Sequence, residues 1–532
     1  MTALADHYQT IAELLNRGDL SSAEQHCRHV LQIANIPEFI YILAVIKERQ
    51  KDYSSARSWF EKALGYLPDR ADIFYNYGVA CLAEGDLESA VALWQRAVAL
   101  DPAMKDAHYN LGKAFTELER LDEAENAYQR VLALFPGDAQ SLYNLGNLKF
   151  QQDDFKEAED LLHRAIQAVP SWSDPWVNLG MTLSRQGRYA DAEKCYGEAL
   201  ERNPENAEAH WNRSLALLLN GNYREGWPEY EWRFKRDKWH SFYPYRHPVP
   251  RWDGDSFQGR QLLVHDEQGL GDTLQFLRYL PMVKAQGGTV IFETKGKLLG
   301  LLKGVAGADE VVTRSPDGSL EVDYDLYVPL LSLPAIFGTT VQTVPDRVPY
   351  LFAENDLVHK WAARLASIAG FKIGICWQGN PAYAADRQRS VPLKFFAPLA
   401  RMEGIQLISL QKIHGLQQLA EMPADLSIID LGRELDKNTG VFMDTAAVMK
   451  NLDLVITSDT AIPHLAGALG VPVWLLLPRP PDWRWGLNGD YYPWYPSMRV
   501  YRQPDAGNWT AVFQQVIQQL TKRQPGINGF NK

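Results

Sequence analysis

Ser458-Asp459-Thr460-Ala461-Ile462-Pro463-His464-Leu465-Ala466-Gly467-Ala468-Leu469-Gly470-Val471-Pro472 lies between two short apolar runs, Leu452 to Ile456 and Val473 to Leu477. Runs this short, rich in leucine and β-branched residues, read as buried parallel strands. The segment joining them then reads as a tight turn and a short helix, a βαβ crossover. Ser458, Asp459 and Thr460 offer capping side chains, Pro463 is tolerated in the first turn because its missing N–H breaks no bond, and Gly470 with Pro472 stops the helix. The unpaired N–H groups of such a helix start point beyond the carboxyl edge of the sheet, where phosphates bind in open α/β folds. A capped crossover without a ligand would present the same residues.

The run from Asp459 to Pro472 resembles the D-[ST]-G-x-x-H-[LI]-A-x-A-x-G-x-P signature of the heptosyltransferase-like glycosyltransferases, with Ala461 where that family usually has glycine. The resemblance implies two Rossmann-like lobes and a nucleotide-sugar donor, with Asp459 facing the sugar and Thr460 and Ala461 meeting the diphosphate beside Ser458 and His464. The chemistry agrees: a carboxylate repels phosphate, so Asp459 is left to cap the helix or accept sugar hydroxyls, while the Thr460 hydroxyl and nearby N–H groups take the phosphates. His464 has no second histidine at helical spacing, so it is expected in the donor pocket or on the helix face rather than on a metal.

Upstream, the apolar strand Gln261 to Val264 runs into His265-Asp266-Glu267-Gln268-Gly269-Leu270-Gly271-Asp272, a glycine turn opening an amphipathic helix. A dinucleotide loop with Glu293 as its ribose acid would need glycine where Leu274 stands, which would keep the helix from pressing on the strand. The turn is read instead as a substrate loop formed by Gln268, Gly269 and Gly271, with Asp272 at the helix start. In the resembling family a Gly-Asp pair on this loop carries the proposed base, and Gly271-Asp272 matches it. Further strands are expected at Val290 to Phe292, Glu310 to Val312, Tyr324 to Val328, Phe371 to Trp377 and Leu407 to Leu410. A helix is expected near Asn355 to Ala369, and an amphipathic helix from Gly507 to Lys522 is expected to cross back to the first lobe. In the loop from Gln378 to Arg389, Arg389 matches a basic residue that the family places on the donor phosphate, although Val391 replaces the family's tryptophan. Lys412, after the strand ending at Leu410, brings a second cation to the same edge, although a solvated surface lysine fits the sequence equally. Asp253-Gly254-Asp255 is read as turn chemistry rather than a metal motif.

The amino-terminal half repeats. Pro68, Pro102, Pro136, Pro170 and Pro204 recur at intervals of 34, as in 102−68. At the same period come Gly78, Gly112, Gly146 and Gly180, and Ala56, Ala90, Ala124, Ala158 and Ala192, the small residues that a helix pair needs where its members cross closely. This resembles the tetratricopeptide repeat over residues 37–206, with residues 3–36 and 207–235 as end caps. Asn76, Asn110, Asn144, Asn178 and Asn212 also recur by 34, as in 110−76. Stacking aligns equivalent positions, so these make a ladder of amides able to grip a peptide backbone, or to bond between helices. Beyond Leu219, Tyr223, Trp227, Tyr230, Trp232, Phe234, Trp239, Phe242, Tyr243, Tyr245 and Trp252 form an aromatic seal against the catalytic half. A second aromatic stretch, Arg479 to Trp485 with Tyr491, Tyr492, Trp494 and Tyr495, walls a pocket or packs the lobes.

Composition sets the outer bounds. The chain has 532 residues and a formal net charge of −11, which argues against a general nucleic-acid binder. No apolar run is long enough to span a bilayer and the first twenty residues lack a signal-peptide pattern, so a cytoplasmic protein is expected. The four cysteines, Cys27, Cys81, Cys195 and Cys376, are far apart and read as small buried hydrophobes. The expectation is an all-α tetratricopeptide array (1–235), an aromatic connector (236–258) and an α/β GT-B half with acceptor (259–370) and nucleotide-sugar (371–532) lobes. The architecture is similar to bacterial flagellin-modifying and O-GlcNAc transferases. The resemblance implies metal-independent transfer, without a cofactor, of a sugar to a Ser or Thr hydroxyl of a protein acceptor such as flagellin or another bacterial surface protein. A non-catalytic scaffold and a transferase for lipid or saccharide acceptors are the alternatives.

Overall fold

The computed structural model describes residues 2–237, 243–315, 317–383, 385–490 and 493–523. Trp239, Phe242, Tyr491 and Tyr492 of the aromatic stretches lie outside them. Two compact units divide the chain, Met1–Leu183 and Ser184–Lys532.

Fourteen helices follow one another in pairs: α1/α2 (Thr2–Asn16, Leu20–Ile33), α3/α4 (Pro37–Arg49, Tyr53–Tyr66), α5/α6 (Ala71–Ala83, Leu87–Leu100), α7/α8 (Lys105–Glu117, Leu121–Leu134), α9/α10 (Ala139–Gln151, Phe155–Ala168), α11/α12 (Ser173–Arg185, Tyr189–Arg202) and α13/α14 (Ala207–Leu219, Tyr223–Tyr230). Several second helices start on an aspartate: Asp19, Asp52, Asp86 and Asp154 accept the N–H of the residue three positions on, at 3.0–3.3 Å. The periodic small residues do what their spacing predicts. Ala56, Ala90, Ala124 and Ala158 are fully buried in the first unit. A Cβ on Gly78 would lie 2.5 Å from the Trp94 indole, and one on Gly112 would lie 2.5 Å from the Tyr128 ring. Each glycine thus makes room for a large ring on the partner helix. Gly112→Val should therefore destabilise the first unit by about 1–3 kcal/mol through overpacking, measured by urea denaturation; an unchanged midpoint would show that Tyr128 can move aside.

The division between units falls inside the helical array and not at its end, near 235. Helices α12 to α14 keep the pair form but fold with the second unit, because Tyr223, Trp227 and Tyr230 are buried in its core. Trp227 Nε1 donates to the Thr339 carbonyl at 3.0 Å, and Trp494 Nε1 donates to the Tyr223 hydroxyl at 3.2 Å. Burying each such ring stabilises by roughly 2–3 kcal/mol. The aromatic seal is therefore part of the core of the second unit. It is completed by Arg233, fully buried in the short 3₁₀ turn Glu231–Lys235, whose guanidinium clasps both oxygens of buried Glu267 at 2.9 and 3.1 Å and donates to Ser332 Oγ at 2.7 Å. Arg233→Met would strand the Glu267 carboxylate in the core. It should cost about 3–5 kcal/mol, read as a lower denaturant midpoint of the second unit.

Two wholly parallel sheets follow. The first has order β3-β2-β1-β4, from β1 (Gln261–His265), β2 (Thr289–Glu293), β3 (Glu310–Val312) and β4 (Leu326–Pro329). The second has order β10-β9-β8-β5-β6-β7, from β5 (Phe371–Cys376), β6 (Ile405–Ser409), β7 (Ile428–Asp430), β8 (Leu454–Ser458), β9 (Val473–Leu477) and β10 (Met498–Arg502). The chain reverses direction across the sheet between β1 and β4 in the first and between β5 and β8 in the second. Loops leaving β1, β5 and β8 therefore open at topological switch points, where α/β sheets hold ligands. Two sequence expectations are corrected here. The last helix, Trp509–Arg523, does not cross to the first lobe: Trp509, Val512, Phe513, Val516 and Leu520 pack on Phe396, Trp474 and Tyr501 of the second. The helix Asn355–Leu365, assigned to the first lobe, packs on the helix Met443–Met449 of the second, where Trp361 Nε1 donates to Asp444 at 2.7 Å.

Candidate functional site

The helix Ala461–Ala468 after β8 packs directly on the helix Leu270–Phe276 after β1, so the carboxyl edges of the two sheets face each other. The contact is close because Gly271 has no side chain: a Cβ there would lie 3.1 Å from the His464 ring and 3.5 Å from the Ala461 Cα. Further ties hold the lobes in this register. The Tyr350 N–H donates to the Ala468 carbonyl at 3.0 Å, and the Tyr350 hydroxyl donates to the Leu274 carbonyl at 2.8 Å.

Asp272, the expected base, is engaged on both oxygens. One accepts the Gly269 N–H at 2.8 Å, and the other is ion-paired with Arg484. Arg484 also donates to Asp482 at 2.8 Å and to Gln275 Oε1 at 3.0 Å, and lies over the Trp483 ring at 4.4 Å. Burial opposes its charge, yet Asp482 and Asp272 hold the guanidinium well above its ordinary value, so it is permanently cationic. Arg484 is the residue that sequence reasoning missed. Its signal was its setting, an arginine enclosed by Trp483 and Trp485 two positions after an acid, which reads as a buried ion pair.

On the opposing lobe, Thr460 caps the helix by accepting the Ile462 N–H at 3.3 Å, and Asp459 is nearly buried beside it. Asp459 therefore does not serve as the cap. Burial, reinforced by the Asp482 carboxylate, pushes Asp459 up to about 7. Ser458 is fully buried at the end of β8, and its hydroxyl has no partner among the described residues. His464 is buried, with Nδ1 3.0 Å from the Tyr495 hydroxyl and its ring stacked on Trp485 at 5.2 Å. Burial, together with the charges of Arg484 and Arg278, holds it well below the usual histidine range, so it is neutral. Arg389 lies on the short helix Asp386–Arg389 after β5, paired with Asp386 at 3.1 Å and stacked over Tyr383 at 4.6 Å. Lys412 is held by buried Asp436 at 2.8 Å, and Asp436 is fixed in turn by the Thr445 hydroxyl at 2.7 Å. This pairing ties Lys412 into the loop structure of its own lobe. Among the neighbouring loop residues, Gln268 donates to the Tyr230 hydroxyl at 3.2 Å and Glu267 is spent on Arg233.

The asparagine ladder is engaged within the array. Asn76, Asn110 and Asn144 donate to the hydroxyls of Tyr41, Tyr75 and Tyr109 at 2.6, 3.3 and 3.1 Å, each one repeat back. Asn178 donates to Asn147 at 2.5 Å, and Asn212 turns back to the Glu208 carbonyl of its own helix at 2.8 Å. The amide nitrogens of Asn76, Asn110, Asn144 and Asn178 thus link consecutive repeats.

Comparison with known proteins adds to this. Residues 41–105 and 177–226 match the family model described as tetratricopeptide repeat, and residues 83–201 match that of the cilia and flagella-associated protein 70 middle TPR-like domain. The amino-terminal region is accordingly an all-α array of tetratricopeptide repeats. The chain is 28% identical over 320 residues to Protein FlbA of Caulobacter vibrioides, covering 56% of this chain and 52% of the relative, so it spans about half the length of the curated relative it matches. Among solved structures, MamA is 22% identical with a TM-score of 0.29, covering 31% of this chain and 97% of that one. A tetratricopeptide repeat protein from Parabacteroides merdae is 15% identical with a TM-score of 0.36, covering 44% and 94%. The C-terminal part of a TPR repeat-containing protein from Cytophaga hutchinsonii is 15% identical with a TM-score of 0.38, covering 43% and 95%. Among the described residues no helix is long and apolar enough to cross a membrane.

The raised Asp459 carboxyl makes a pH-dependent contribution to stability. Between the ordinary carboxyl range and about pH 7 the folded protein keeps a proton there that the unfolded chain has released, so stability falls as pH rises through that window. Asp459→Asn removes the loss. Its melting temperature relative to the parent protein should therefore rise from about pH 5 to about pH 8, and a constant difference would count against a protonated Asp459.

Proposed function

We propose that the second unit is a GT-B glycosyltransferase that moves a sugar from a nucleotide-sugar donor to a Ser or Thr hydroxyl of a polypeptide, with the repeats recruiting that polypeptide. The observation that carries this reading is the meeting of the Gly271-Asp272 loop and the Ser458-Asp459-Thr460 turn, each at a switch point of its own parallel sheet, around the buried cation Arg484. In this reading the donor diphosphate lies at the start of the helix Ala461–Ala468, within reach of Arg389, and the Ser458 hydroxyl and Asp459 address the donor's hydroxyls. Asp272 takes the proton of the acceptor hydroxyl as that oxygen attacks the anomeric carbon and the nucleoside diphosphate leaves. A diphosphate carries more charge than a carboxylate and competes for Arg484, which frees Asp272 for this step. The developing charge is met by arginine and by helix N–H groups, so the mechanism calls on no metal. Tetratricopeptide arrays bind proteins along their length, which favours a protein acceptor, flagellin or another bacterial surface protein among them.

Two variants test the proposal. Asp272→Asn should lower turnover roughly 10²–10⁴-fold with donor affinity retained. Arg389→Ala should weaken nucleoside-diphosphate binding by about 1.5–3 kcal/mol in calorimetry. If no nucleotide sugar or diphosphate binds the parent protein, a non-catalytic scaffold is the better reading, and the ion pair that already engages Asp272 is the observation in its favour.

A further inference from the structure

A separate cavity of about 540 Å³ opens at the carboxyl ends of β9 and β10. Its walls include Tyr189, Arg479, Asn488, Arg502, Gln503 and Gln515, and none of Asp272, Arg389 or Asp459 lines it. The volume suits a metabolite-sized ligand. Gln503, at 3% exposure, is the informative residue. Its Oε1 accepts two backbone N–H groups, from Arg479 at 3.2 Å and Gly507 at 3.0 Å, which fixes the orientation of the amide. The amide nitrogen on the other side is buried and has no partner among the described residues. A buried N–H₂ left unpaired is costly, and a ligand oxygen admitted beside Gln503 would satisfy it.

The surroundings define the ligand's charge. Arg479 donates through Nη1 to the Pro504 carbonyl at 2.8 Å and has no carboxylate partner among the described residues. Arg502 adds a second positive charge to the wall, its three nitrogens held by the carbonyls of Trp485 at 2.6 Å, Gly486 at 2.9 Å and Gly489 at 3.3 Å. Asp490, the one acid in the wall, is paired with Arg499 at 3.0 Å. The fourteen-residue helix α12 begins here, with Gly187 and Tyr189 in the wall and no side chain capping its first turn. The N–H groups of a helix start favour an anion, and the Asp191 carboxylate in the same turn is paired with Arg188 at 3.3 Å. Donors from the Arg479 guanidinium, one amide and one helix start, with the Arg502 charge behind them, suit a tetrahedral anion with several acceptor oxygens better than a planar carboxylate, which one guanidinium would satisfy.

We propose that this cavity is a second binding site, distinct from the candidate donor crevice, for a small phosphate-bearing metabolite. The test uses the full chain and calorimetric titration with inorganic phosphate, glucose 6-phosphate and AMP. Gln503→Glu keeps the oxygen that accepts the Arg479 and Gly507 N–H groups, so the loop is held, but sets an anionic oxygen where the amide donor stood. It should weaken binding of these probes about tenfold or more. Arg479→Gln, which removes the unpaired cation alone, should weaken it in the same direction, while Arg389→Ala should leave it within about twofold. Failure of all three probes to bind the parent protein at millimolar concentration would overturn the proposal. So would binding that survives Gln503→Glu and Arg479→Gln but is lost in Arg389→Ala, since the phosphate would then sit in the donor crevice.

Discussion

A guanidinium buried between carboxylates of two different lobes is the interaction around which the second unit is arranged. Arg484 reaches Asp272 on the loop after β1 and Asp482 on its own loop after β9, and it is oriented by Gln275 and the Trp483 ring. Such a cation is stable out of water only while carboxylates face it, and losing Asp272 would leave Asp482 of its own loop as the remaining carboxylate and cut the tie to the first lobe. The pair therefore constrains the lobes in a way that apolar packing alone does not: it fixes which loop faces which. The close fit of Gly271 on His464 and the Tyr350 bonds follow the same register.

Much of this was legible in the sequence, and the reasons differ by element. Of the interior strands, β9 reads as an unbroken apolar run, and β1, β5, β6 and β8 each keep a short buried apolar stretch between polar residues. β10 was missed because it lies at the sheet edge and reads Met-Arg-Val-Tyr-Arg, whose two arginines interrupt the run, and β7, at the opposite edge, was not singled out either. The fate of the last helix was misjudged because an amphipathic pattern shows that a face is buried but not against what. Asp272, Thr460 and His464 were singled out through a family resemblance, and the helices that start at or carry them pack against each other. Arg484 is 212 residues from Asp272, a pairing that no local pattern encodes. The partner of the asparagine ladder, by contrast, was visible. Tyr41, Tyr75 and Tyr109 recur with the same step of 34, as in 75−41, so a repeat carries the information for its own inter-repeat bonds.

Burial explains why the two acids of the site differ. Asp272 faces a cation and a backbone N–H, whereas Asp459 is enclosed beside another carboxylate and holds its proton far above the usual range. Two aspartates at facing sheet edges thus sit in opposite surroundings, one against a guanidinium and a backbone N–H and the other enclosed beside a second carboxylate.

The placement of α12 to α14 bears on how such a chain could have been assembled. Repeats are commonly regarded as exchangeable modules, gained and lost by recombination at any period of the array. Here the freely tradable stretch stops near residue 183, because the later helices supply Tyr223, Trp227 and Tyr230 to a core they share with the parallel sheets. A recombination joint placed at the apparent end of the array would separate those rings from their partners, so these helices are inherited with the α/β part, whatever array precedes them.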